Sequence, residues 1–394
     1  MVILLSLVLI RPGLAEELPK LIASDSVISG AEQIDVYLPL LDGMKIGVMA
    51  NQSSLVGNTH LVDTLLSRDV EIVRIFTPEH GFRGDHAAGA HVQNAIDEKS
   101  GISLISLYGN KKRPDPADME DIELMLFDLQ DVGVRFYTYI SSLTYMMEVC
   151  AQYDVPLVVL DRPNPNGFYI DGPVLEPEYK SFVGLHPVPV VYGLTIGEYA
   201  LMINGEGWLS DGMSCQLEVV GLKGYERNMI VELPERPSPN LPDWRSIYLY
   251  PSLCFFEGTI VSVGRGTTTP FQIFGHPDYY PGQYVFTPKS SPGAGDNPKL
   301  MGQTCYGELL TGFAASYQYH PKSIHLDWLI EAYNALSLRH DFFNNYFNTL
   351  AGTSKLREQI EQGLTASAIR RSWQEDIENF KKIRSRYLIY PDIE

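Results

Sequence analysis

Residues 45–53 read KIGVMANQS, a short apolar run that stops abruptly on three polar side chains. Four to eight apolar residues bounded by polar or turn residues make a buried strand. The pattern returns at 71–76 (EIVRIF), 124–129 (LMLFDL) and 156–160 (PLVVL). Between these runs, residues 59–67 and 142–152 carry apolar side chains at helical spacing, and the second places Leu143, Met146, Met147 and Cys150 on one face. Strand–helix alternation of this kind predicts an α/β fold with a mainly parallel sheet and helices on both faces.

Past about residue 165 the texture changes, with turn signals at 163–167 (PNPNG) and 237–240 (PSPN). A capped helix is expected at 195–204, a strand at 216–220, and helices at 326–338 and 366–386. The stretch 285–302, rich in Pro, Gly and Ser, is expected to be a linker or mobile loop.

The 394 residues suggest two domains, and 45% hydrophobic with 20% charged residues excludes disordered, collagen-like and coiled-coil chains. Acidic residues outnumber basic ones by 48 to 30, so the net charge of −18 argues against nucleic acid or an anionic membrane as partner. An anionic ligand then has to be caught by local arginines. Residues 2–10 are apolar except for Ser6 and lead into RPGLAE; although no basic residue precedes the run, residues 1–15 read as a signal peptide and predict a soluble, secreted or periplasmic protein. Four scattered cysteines, Cys150, Cys215, Cys254 and Cys305, read as buried thiols.

The polar residues cluster where strands end: Asn51-Gln52-Ser53, then TPEHGFRG at 77–84, Gln130-Asp131, and Asp161-Arg162-Pro163-Asn164. Ligands bind at that edge in open α/β sheets. Several carboxylates meeting there can divide into a proton donor and an ionised partner, and Glu79, fixed between Pro78 and a glycine turn, is the candidate acid. His80, His86 and His91 have spacings that suit no metal, and no phosphate-cradling loop follows a strand, so neither metal nor cofactor is expected. If 128–139 (DLQDVGVRFYTY) is extended, Arg135, Tyr137 and Tyr139 share a face suited to a sugar bearing a carboxylate.

TPEHGFRG at 77–84, SLYG at 106–109, DLQDVGVRFYTY at 128–139, LDRPNPNG at 160–167, YGLTIGEYA at 192–200 and FFEGTIVSVGRGTTTPF at 255–271 occur in order. Together they resemble the exo-β-N-acetylmuramidase family of peptidoglycan hydrolases, the NamZ type. The resemblance implies a Rossmann-like domain, here assigned to 31–205, joined to a smaller α/β domain at 206–394, with the active site in the cleft between them. It implies release of N-acetylmuramic acid (MurNAc) from non-reducing ends of peptidoglycan fragments. Residue by residue, it points to Glu79 as catalytic acid with His80 and Arg83 beside it. It also points to Asp131, Arg135 and Tyr137, to Asp161, Arg162 and Asn164, and to Glu257 and Arg265, with Asn51 at the same edge. Asn166, Phe168 and Gln272 depart from the family's pattern and leave the outer pocket open. A non-catalytic muropeptide-binding protein is the alternative, while a nucleotide-dependent transferase lacks its phosphate loop.

Overall fold

Ile46–Ala50 is buried at every position and is flanked on both sides by parallel partners, Ile72–Thr77 and Leu124–Asp128. A strand enclosed in this way has no polar face, which is why KIGVMA reads as a continuous apolar run. The computed structural model describes residues 20–23, 26–79, 81–83, 95–291, 297–316 and 322–392. The expected signal peptide, His80, His86 and His91 lie outside the described residues.

The main sheet has seven strands in the order 217–220, 157–160, 124–128, 46–50, 72–77, 103–106 and 95–96. All neighbours are parallel except the last pair. Successive side chains alternate between two cores, as the pleat requires. Ile75, Leu126, Val158 and Leu160 pack with the helices Ile34–Leu41 and Leu61–Leu66. Phe76, Met125, Phe127, Leu157 and Val159 pack on the other face with Tyr139–Tyr153 and Ile196–Gly205. Leu143, Met146, Met147 and Cys150 are all fully buried on that second side. The fold class is therefore the expected α/β.

The strand Leu217–Val220, placed by sequence in the second domain, pairs with Leu157–Leu160 and completes the main sheet, so the boundary at 205 falls inside it. Beyond it lie a three-stranded antiparallel sheet, in the order Ile273–His276, Cys305–Leu309 and Tyr284–Phe286, and a set of helices. The helix expected at 366–386 is two, Ala366–Ser372 and Gln374–Arg384. At the break, buried Trp373 donates its indole N–H to Asp171 Oδ1 at 2.9 Å. The stretch 285–302 is no linker in its described parts: it begins in a strand, and Gly302 N–H donates to Pro288 O at 2.9 Å. The core on the 139–153 side runs without interruption from Met49 and Phe76 to Phe255, Leu329, Ile369 and Phe380. All four cysteines are buried free thiols. No helix among the described residues is long and apolar enough to cross a membrane.

Candidate active site

The strands 46–50, 72–77 and 124–128 end together, and a cavity of about 210 Å³ opens beside that edge. Glu79 enters it two residues after Thr77, on a turn closed by Gly81 N–H to Pro78 O at 3.4 Å, with Gly81 at φ +79°. Burial holds the Glu79 carboxyl above the ordinary range, although a hydrogen bond from Tyr108 and the charge of Arg265 pull the other way.

Residues 131–138 are not extended. Gly133 turns the chain at φ +75°, where a Cβ would meet the Asn164 side chain at 2.1 Å, and Tyr137 N–H closes a turn onto Val134 O at 2.9 Å. Phe136, Tyr137 and Tyr139 therefore reach the cavity while Arg135 points into the core. Tyr137 and Tyr139 meet edge to face at 4.7 Å, and their hydroxyls converge on Pro237 O at 2.7 and 3.4 Å. Tyr250 and Phe271, with centroids 5.0 Å apart, continue the aromatic wall.

The opposite chemistry comes from later in the chain. Glu257, on the turn Cys254–Gly258, accepts a 2.6 Å hydrogen bond from Arg265 Nε. The guanidinium lies over Phe271, 5.1 Å from the ring centroid, and the Glu257 carboxylate keeps Arg265 charged. Among the described residues nothing engages Arg265 Nη1 or Nη2. Both side chains line the cavity and are partly exposed to it.

Of the residues singled out by sequence, Glu79, Tyr137, Tyr139, Glu257 and Arg265 meet in this cavity. Asn51 stands behind it, donating to the Tyr139 hydroxyl at 2.7 Å. The other described candidates are frame rather than lining. Arg135 donates to four carbonyls, those of Pro173, Val188, Leu350 and Ala351 at 2.6–3.1 Å, and burial lowers its pKa to about 9. Arg162 forms a two-pronged pair with Asp128, at 2.6 and 2.8 Å, with both side chains buried. Asp161 accepts from Thr195 Oγ1, Gly197 N and the Tyr390 hydroxyl, and burial pushes it up to about 6. Asp131 accepts from Gly133 N and the Tyr192 hydroxyl and is likewise pushed up to about 6 by burial. Asn164 ties Asn166 N to Leu194 O, and Arg83 bridges Asp63 and Asp97.

Sequence reasoning missed Tyr108, Ser238, Asn240, Tyr250 and Tyr346 as site residues. Tyr108 stood in the SLYG motif and the 237–240 turn was visible, whereas Tyr346 arrives from a helix with no local signal. One metal-like group exists among the described residues: His276, Asp278 and His340, with candidate ligand atoms within 4.8 Å of one another. Asp278 N–H donates to His276 Nδ1 at 3.1 Å, which leaves the ring proton on Nε2, and His340 Nε2 is 2.8 Å from Asp278 Oδ2. These two hydrogen bonds link the trio, which does not line the cavity.

Comparison with known proteins agrees along the length of the chain. Residues 46–245 match the model described as exo-beta-N-acetylmuramidase NamZ, N-terminal, and residues 248–390 match its C-terminal counterpart. The chain is 39% identical to the peptidoglycan beta-N-acetylmuramidase NamZ of Bacillus subtilis, covering 91% of this chain and 90% of that one. Crystal structures of two DUF1343 family proteins from Bacteroides fragilis superpose with TM-scores of 0.86 and 0.77, at 46% and 28% identity. Each covers 93% of this chain and 99% of its own. With matches spanning both halves of the molecule, the chain belongs to the NamZ family of exo-β-N-acetylmuramidases.

Proposed function

We propose that this protein is an exo-acting glycoside hydrolase that removes MurNAc from the non-reducing ends of peptidoglycan fragments, with Glu79 as general acid. The observation that carries the reading is one cavity holding Glu79, whose carboxyl desolvation raises above its ordinary value, together with the Glu257–Arg265 pair. Glycosidic cleavage needs a carboxylic acid to protonate the leaving oxygen and a second, ionised group near the charge that develops on the ring. Glu79 suits the first task. At about 210 Å³ the cavity is smaller than the ~300 Å³ at which sites for larger ligands begin, which favours one terminal sugar with the rest of the glycan outside. The leader-like residues 1–15 support export, where peptidoglycan would be met. Mass spectrometry after incubation with a MurNAc-GlcNAc fragment tests the reading: free MurNAc is the expected product, and an intact fragment overturns it.

MurNAc differs from N-acetylglucosamine (GlcNAc) by a lactyl ether that ends in a carboxylate. Arg265, with Nε held by Glu257 and both terminal nitrogens unengaged among the described residues, presents the fork that a carboxylate fits. Arg265→Leu is expected to weaken MurNAc glycoside binding by ~1.5–3 kcal/mol and to leave the weak GlcNAc activity nearly unchanged. Equal loss of both in steady-state kinetics would assign the selectivity to pocket shape.

A further inference from the structure

Lys299 lies in the stretch that the sequence presents as a linker, yet its ammonium folds back under the active-site turn. Its Nζ donates to the carbonyl oxygens of Phe256 at 2.9 Å, Glu257 at 3.3 Å and Thr259 at 2.5 Å. Three carbonyls use the full donor set of a charged amine. The same stretch grips the second turn of the site. Lys289 N–H donates to Gly266 O at 3.0 Å, and a Cβ on Gly266 would lie 2.2 Å from Lys289 O and 2.9 Å from Pro298 Cγ. With φ at +81°, Gly266 is a position where glycine alone permits the contact. One segment therefore holds the backbones on which Glu257 and Arg265 are mounted.

Building on the reading of Arg265 as the group that meets the lactyl carboxylate, we propose that Lys299 is a positioning residue for anion recognition. It fixes the Glu257 backbone, and the Glu257 carboxylate in turn orients the Arg265 fork. The charged and titratable groups facing it are Glu257, which favours the ammonium, Arg265, which opposes it, and the Cys254 thiol. Burial prevails and lowers its pKa to about 8. Above that pH the amine has two protons for three carbonyls, and the clamp loosens.

Calorimetric binding of free MurNAc and of GlcNAc to the full chain tests the inference. At pH 7, Lys299→Met is expected to weaken MurNAc about tenfold while GlcNAc stays within about threefold, because only the anion depends on Arg265. In the wild type, MurNAc affinity is expected to fall by about threefold or more between pH 7 and pH 9 with GlcNAc unchanged, and this fall disappears in Lys299→Met. Unchanged MurNAc binding in the variant, or parallel loss of both sugars, overturns the positioning role. Should the variant not fold, pH-independent MurNAc binding by the wild type overturns it equally. A wild type that binds no MurNAc overturns the functional reading itself and this inference with it.

Discussion

Replacing Glu79 with Gln is expected to lower turnover of a MurNAc glycoside by at least ~100-fold and to leave the fold intact, since a positioned acid, the role proposed for Glu79, contributes that much to proton transfer. The amide keeps the shape of the side chain but has no proton to give to the leaving oxygen. Glu79 is only partly buried and sits on a turn rather than in the packed sheet, so little stability rides on its charge. The pH profile adds a second check with a definite sign. Burial raises this carboxyl, so the protonated form that the proposed acid needs persists to higher pH than in an ordinary glutamate. The alkaline limb of kcat is therefore expected above pH 4.5, the ordinary value, and is absent from the residual activity of Glu79→Gln. Near-normal turnover in the variant, with circular dichroism unchanged, would remove Glu79 from the chemistry.

Asp128→Asn is expected to cost stability rather than chemistry, at about 3–5 kcal/mol. Asp128 ends the inner strand Leu124–Asp128 and holds both Nε and Nη2 of Arg162, and neither side chain is meaningfully exposed. The amide keeps one acceptor oxygen but turns an NH2 toward the guanidinium and leaves it buried without its counter-charge, with Leu55 O at 3.1 Å as its other acceptor. An apolar pair, Asp128→Leu with Arg162→Met, removes both charges and is expected to recover most of that loss. Urea unfolding at constant slope measures both. A loss under about 1 kcal/mol for the single substitution would mean that water reaches Arg162.

The sheet was legible because its strands are enclosed on both faces, so 46–50, 72–77, 124–128 and 157–160 appear as bare apolar runs. The site was legible only where short-range signals coincide with function. Glu79, standing one turn past a strand end, is placed in the cavity as that signal predicts. Arg135 misleads: a motif arginine amid aromatics resembles a ligand fork, but the positive φ of Gly133 rotates it into the core to bind four carbonyls. Asp161, Arg162 and Asn164 sit at the correct edge of the sheet yet serve as its fastenings. Nothing local distinguishes a fastening from a ligand, since both need buried polar atoms. Lys299 was invisible for the converse reason, because its partners lie some forty residues away along the chain.

The unbroken core bears on how the molecule comes apart. The family models meet between residues 245 and 248, yet Met49 and Phe76 share one apolar cluster with Phe255, Leu329, Ile369 and Phe380. Pulling the halves apart would strip that surface into water at roughly 25 cal/mol per Å², so neither half is expected to have a stable state of its own to melt from. Scanning calorimetry of the full chain is expected to show a single endotherm whose van't Hoff and calorimetric enthalpies agree. A gene cut at the seam is then expected to yield two aggregating fragments in place of two modules: Glu79 and Arg265, mounted in different halves, fold and are lost together.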